Sequence, residues 1–154
     1  MRIRVIGVGT RQGDDAAGLL VAEALAAGAL PPGVVVRTCE RPGADLLDEM
    51  EGADAVVIVD ATRSGRAPGT VFRAAPEEMA GGRSLSSHAL GVREALALAE
   101  ALGHGPARVE MVGIEAGGAT RDDLSDPVRA SLAEACALVR ALIGEMTGAA
   151  APWG

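Results

Sequence analysis

Asp15, Asp60 and His88 are three residues whose types together suit one kind of chemistry. Two carboxylates and one imidazole make an oxygen–oxygen–nitrogen ligand set. Such a set suits borderline divalent ions such as zinc, nickel, iron or manganese better than magnesium or calcium. Three protein ligands leave coordination positions open for water or substrate. Each residue also has a plainer reading. One member of the Asp14-Asp15 pair could cap a helix. Asp60 closes an apolar run and could cap a loop. His88, in Ser86-Ser87-His88-Ala89-Leu90-Gly91, could be an ordinary helix-start histidine. The other histidine, His104, stands at a helix end in Gly103-His104-Gly105-Pro106, where histidine is generically favourable.

Absent residue types remove further chemistry. The chain has no Lys, no Tyr and no Asn. A Schiff-base lysine, a P-loop lysine, a Ser–Lys dyad and a tyrosine acid/base are therefore excluded. Cys136 falls between Leu132 and Val139 on an apolar helix face and reads as core. Cys39 follows a strand with nothing local to activate its thiol. A Cys39–His88 pair stays open, and Ser86 or Ser87 beside His88 makes no triad without geometry. Gly7-Val8-Gly9-Thr10-Arg11-Gln12-Gly13 offers a competing reading as a dinucleotide turn. Its third glycine comes one residue late for G-x-G-x-x-G, and Asp14 and Asp15 would repel a pyrophosphate there.

These residues need elements to position them. Residues 2–8 predict a first strand, 14–28 a helix, 34–39 a second strand and 44–50 a short helix. The unbroken apolar run Ala55–Asp60 predicts a central parallel strand covered on both faces. Thr70–Arg73 predicts an antiparallel edge strand, since no helix separates it from the strand before. Residues 76–87 read as irregular, 89–102 as a helix and 108–114 as a fifth strand. A loop then leads to Asp126-Pro127, with Asp126 as N-cap and Pro127 at the first helical position. The last helix presents Val128, Leu132, Ala135, Val139, Leu142, Ile143 and Met146 to the core. The order β-α-β-α-β-β-α-β-α is that of a three-layer α/β/α sandwich, whose ligands sit beyond the carboxyl ends of its parallel strands. That edge is where Asp15, Asp60 and His88 all fall.

The chain has 154 residues, 49% of them hydrophobic and 23% charged, which fits one domain over 1–147 with a frayed tail at 148–154. A net charge of -7 argues against nucleic acid and anionic membranes as partners. No apolar run approaches the ~20 residues of a membrane span. The opening Met1–Gly9 does not read as a signal-peptide core. Two cysteines make no disulfide framework, so a cytoplasmic protein is expected. The apolar first helix leaves room for a homodimer as well as a monomer.

Five segments in order resemble the hydrogenase maturation protease family, from Met1 to about Ile143. They are Gly7-Val8-Gly9 with Asp14-Asp15-Ala16-Ala17-Gly18, then Val59-Asp60-Ala61, then Ser87-His88-Ala89-Leu90-Gly91, then Val112-Gly113-Ile114-Glu115, and last Leu124-Ser125-Asp126-Pro127-Val128. The resemblance implies a five-stranded mixed sheet with an antiparallel fourth strand, of the phosphorylase/hydrolase-like kind. It implies an endopeptidase that removes a C-terminal extension from the nickel-loaded large-subunit precursor of a nickel–iron hydrogenase. It carries the metal-contacting and catalytic roles onto Asp15, Asp60 and His88. The metal would be nickel presented by the substrate, with zinc or another divalent ion able to substitute. The ion could polarise the scissile carbonyl or acidify water, or one carboxylate could act as base. Glu115 is the nearest further acid by motif position. Thr10 stands where the family's opening has Asn, Ala16 replaces Gly, and Ala116 stands where Pro is common. The alternatives are a non-proteolytic relative that binds metal or precursor, and a dinucleotide-binding Rossmann-like enzyme using the Gly7–Gly13 turn.

Overall fold

The computed structural model describes residues 1–74, 87–117 and 122–148. Its centre is β3 (Ala55–Thr62), every residue of which is buried. It lies between β1 (Ile3–Val8) and β5 (Arg108–Glu115) and runs parallel to both. β2 (Val34–Cys39) joins β1 in parallel at one edge. β4 (Val71–Ala74) closes the other edge, antiparallel to β5, so the sheet order is β2-β1-β3-β5-β4. A strand covered on both faces needs apolar residues at consecutive positions, which is the pattern of Ala55–Val59.

Side chains of β1 and β3 alternate between two cores. Ile3, Val5, Val57 and Val59 pack with α1 (Ala17–Ala26) and α4 (Asp126–Thr147) on one face. Ile6, Val8, Val56 and Ile58 pack with α2 (Ala44–Met50) and α3 (Ser87–Ala101) on the other. The three-layer α/β/α sandwich and the antiparallel fourth strand are thus both present. The apolar first helix is accounted for within the chain: Ala17, Leu19, Val21, Ala22 and Leu25 are buried against its own sheet and α4.

Several boundaries differ from those predicted, each for a tertiary reason. β3 continues past Asp60 through Ala61 and Thr62, because Ile114 and Glu115 of β5 supply partners for both. A separate 3-10 helix, Gly13–Ala16, precedes α1, where one continuous helix from Asp14 is predicted. β4 is shifted one residue along, and α3 begins at Ser87 rather than Ala89. The N-cap of α4 is Ser125, not Asp126: Arg129 N–H donates to the Ser125 carbonyl at 2.9 Å. The irregular segment expected at 76–86 and the tail beyond Gly148 lie outside the described residues.

The chain leaves β1 for β2 on one side, then returns across β1 to form β3 on the other. This switch in strand order opens a cleft at the carboxyl ends of β1 and β3, where α/β sheets bind ligands.

Candidate active site

The glycines of the first turn bring helix and sheet into contact. A Cβ on Gly18 would stand 2.4 Å from the carbonyl oxygens of both Val8 and Val59. A Cβ on Gly7 would stand 2.2 Å from the Gly18 carbonyl. The start of α1 therefore rests directly on the ends of β1 and β3, and Asp15 arrives three residues earlier, over the cleft. A Cβ on Gly9 would stand 2.0 Å from the Asp15 carbonyl, so the chain's own backbone fills the space beside this glycine. The Gly-x-Gly here serves a close backbone approach within the fold, and no geometry of the turn favours a pyrophosphate.

The two neighbouring aspartates divide the work. Asp14 is buried and accepts from Gly117 N–H at 2.7 Å, Ser125 N–H at 2.7 Å and Ser125 Oγ at 2.8 Å. It ties the turn after β1 to the segment leading into α4, which is why it does not cap α1. Asp15 is directed differently. Its Oδ1 is shielded from solvent and accepts no hydrogen bond among the described residues. The Arg63 guanidinium lies 3.7 Å from that oxygen.

Asp60 is 2% exposed. It has the strand parity of Val56 and Ile58, so it faces the α2/α3 layer. Burial pushes its carboxyl well above the usual carboxylate range. The Ala61 N–H draws it partly back, and the negative charge of Asp15 pushes it further up. The two carboxylates thus repel each other electrostatically. The His88 backbone lies in the first turn of α3, in the layer Asp60 faces. Its side chain lies outside the described residues. Pro42 abuts Gly91 on the next turn of α3, with 3.1 Å from its ring to a Cβ placed there, so the loop before α2 borders the same region. Among the described residues no group of three His, Cys, Asp or Glu side chains is placed to hold a metal ion. Asp15 and Asp60 are two of the three ligands expected from the sequence, and the side chain of the third, His88, is outside that description.

Other candidates fall away. His104 is exposed at the end of α3, at the opposite edge of the sheet. Cys136 is core, as predicted. Cys39 is buried, and burial pushes its thiol up, the reverse of what a nucleophile needs. Glu115 is not a spare acid. It accepts from Thr62 Oγ1 at 2.8 Å, Ser64 Oγ at 2.6 Å, Ser64 N–H at 2.8 Å and Gly65 N–H at 3.2 Å, and so holds the loop after β3. One residue, Arg63, was not singled out by sequence. It pairs with Asp15 across the cleft and donates to the Gly117 carbonyl at 3.2 Å. A lone Arg in a polar loop carries no signal of its own. Thr10, noted above where the family's opening has Asn, keeps a buried hydroxyl without a hydrogen-bond partner among the described residues, while its N–H donates to the Asp15 carbonyl.

Fold and site together define a three-layer α/β protein with an acidic pair at the switch point of its sheet. Residues 20–141 match the model of the hydrogenase maturation protease family, and the chain belongs to that family. It is 30% identical to the hydrogenase maturating endopeptidase HybD from E. coli, with a TM-score of 0.83 over 95% of this chain and 94% of that one. The NiFe hydrogenase maturation protease HybD from Thermococcus kodakarensis is 26% identical, with a TM-score of 0.73 over 92% and 99% of the two chains. The hydrogenase expression/formation protein HupD of Rhodobacter capsulatus is 28% identical over 95% of this chain and 75% of its own length. Membership assigns the activity: an endopeptidase of hydrogenase maturation, acting on the large-subunit precursor. Among the described residues no helix is long and apolar enough to cross a membrane.

Proposed function

We propose that this endopeptidase removes a C-terminal extension from a nickel-loaded precursor, and that Asp15, Asp60 and His88 hold the nickel carried by the substrate. The observation that supports this reading is the carboxylate pair at the switch point. Asp15 offers an oxygen shielded from water and, among the described residues, without a hydrogen-bond donor. Burial and the charge of Asp15 hold the Asp60 carboxyl well above the usual carboxylate range. A divalent cation between them would relieve their repulsion and satisfy the bare oxygen. His88 completes the donor set with a neutral nitrogen.

When bound, the ion would supply Lewis acidity at the scissile carbonyl. Asp15, Asp60 and His88 would hold and orient it, and a carboxylate not engaged by the ion would take the proton of the attacking water. Zinc or another divalent ion could stand in for nickel. The setting is cytoplasmic in this reading, which the two free cysteines favour, since thiols persist in reducing compartments.

The test incubates the purified protein with nickel-loaded and nickel-free precursor and reads the C-terminal mass. Only the loaded form is cut. Asp15→Asn and His88→Ala each slow the cut beyond the about 100-fold that loss of a supporting residue costs at a metal site. Binding of loaded precursor without any cut would favour the non-proteolytic relative. Cleavage that persists after all three residues are replaced would refute the assignment.

A further inference from the structure

Arg63 follows directly on β3 and stands beside the carboxylate pair. Its Nη2 lies 3.7 Å from Asp15 Oδ1, an oxygen that no hydrogen-bond donor reaches among the described residues. Its Nη1 donates to the Gly117 carbonyl at 3.2 Å. The side chain is still 45% exposed, so it can swing outward without disturbing the core. A divalent cation bound at Asp15 would meet this guanidinium at the same oxygen, and like charges at that separation repel. Arginine cannot yield by losing its proton, because it stays charged at every physiological pH. It can yield only by moving.

We propose that Arg63 is a displaceable counter-cation that occupies Asp15 in the free enzyme and holds down its affinity for free divalent ions. The inference rests on Asp15 being a metal ligand. Displacing Arg63 costs binding free energy. A free ion must supply all of it, whereas a docked protein offsets it with contacts elsewhere on its surface. The site thereby favours metal that arrives inside a protein substrate over the same metal in solution. A purely structural role, holding the Gly117 carbonyl, predicts the opposite sign when Arg63 is replaced.

Isothermal titration of metal-free protein with nickel chloride separates the two. Arg63→Gln binds nickel about tenfold more tightly than the parent, since the repelling charge is gone. Arg63→Lys keeps the charge and stays near the parent affinity. Asp15→Asn added to Arg63→Gln removes the gain. Equal or weaker binding by Arg63→Gln overturns the inference. If Asp15→Asn alone then still weakens binding, the ligand role of Asp15 stands while the counter-cation role falls. A gain that survives Asp15→Asn overturns both.

Discussion

At the residue scale, the site combines a carboxylate, Asp15, whose Oδ1 meets no hydrogen-bond donor among the described residues, and one that resists ionisation. Asp60 has its proton affinity raised by burial and by Asp15. Its unfolded counterpart ionises near pH ~3.9. The stability it contributes is therefore complete below that pH and is lost as pH rises toward its folded value. Asp60→Asn keeps the shape and removes this penalty. The variant is expected to be more stable than the parent at pH 7, because it need not bury a charge there. The gain shrinks to nothing as pH falls through about 4. Thermal melts of metal-free protein between pH 3 and 8 measure it. An Asp60→Asn variant less stable than the parent at pH 7 would contradict this account. Asp14, one residue from Asp15, shows the converse arrangement: three donors satisfy it, and it serves architecture rather than chemistry.

At the element scale, the position of Asp15 is decided by how closely α1 approaches β1 and β3. That approach needs no Cβ at Gly18, which faces two strand carbonyls. Gly18→Ala must push the helix away from the sheet. Backbone carbonyls cannot rotate aside like a side chain, so the variant should lose about 3 kcal/mol of stability. It should also lose cleavage in larger proportion than stability, because Asp15 moves with the helix. Urea denaturation and the precursor assay, run on the same preparation, test the pair of outcomes. A variant as stable and as active as the parent would show that the close approach is not needed. The edge strand β4 is held differently. Arg73 reaches Glu110 on β5 through two hydrogen bonds, at 3.0 and 2.8 Å, and Arg108 bonds the same carboxylate.

At the scale of the whole molecule, two acids bend the pH profile in opposite directions. The Arg73 and Arg108 guanidinium groups hold the Glu110 carboxyl below its ordinary value. Its contribution is present above about pH 4.3 and is lost as pH falls through its folded value. The Asp60 contribution runs the other way. Both arginines are partly exposed, so Glu110→Gln should cost no more than about 1 kcal/mol at neutral pH, and less as pH falls through the folded value of Glu110. One cooperative transition is expected throughout, since a single sheet carries both cores. Calorimetry across that pH range checks the slope and the cooperativity. A Glu110→Gln penalty that grows on acidification would reverse the assigned sign.

Much of this protein was legible in its sequence because the signals are local. Burial on both faces demands consecutive apolar residues, so Ala55–Val59 could only be a central strand. Strand–helix alternation then determined the layers, and Pro127 located the start of α4 within a residue. The carboxyl-edge rule assigned Asp15 and Asp60 to one edge of the sheet, because connectivity alone sets which strand ends lie side by side. What the sequence left undecided depends on partners distant along the chain. Nothing near Asp14 and Asp15 says which is structural; Gly117 and Ser125, over a hundred residues away, take Asp14 and leave Asp15 to face Arg63. Glu115 reads as an available acid until the loop after β3 folds back and saturates it. Asp60 reads as a loop cap until β5 extends the strand past it. Arg63 acquires meaning only from the oxygen it faces. Periodicity and chain order are written into neighbouring residues, whereas the partner of a charge is chosen by the folded chain as a whole.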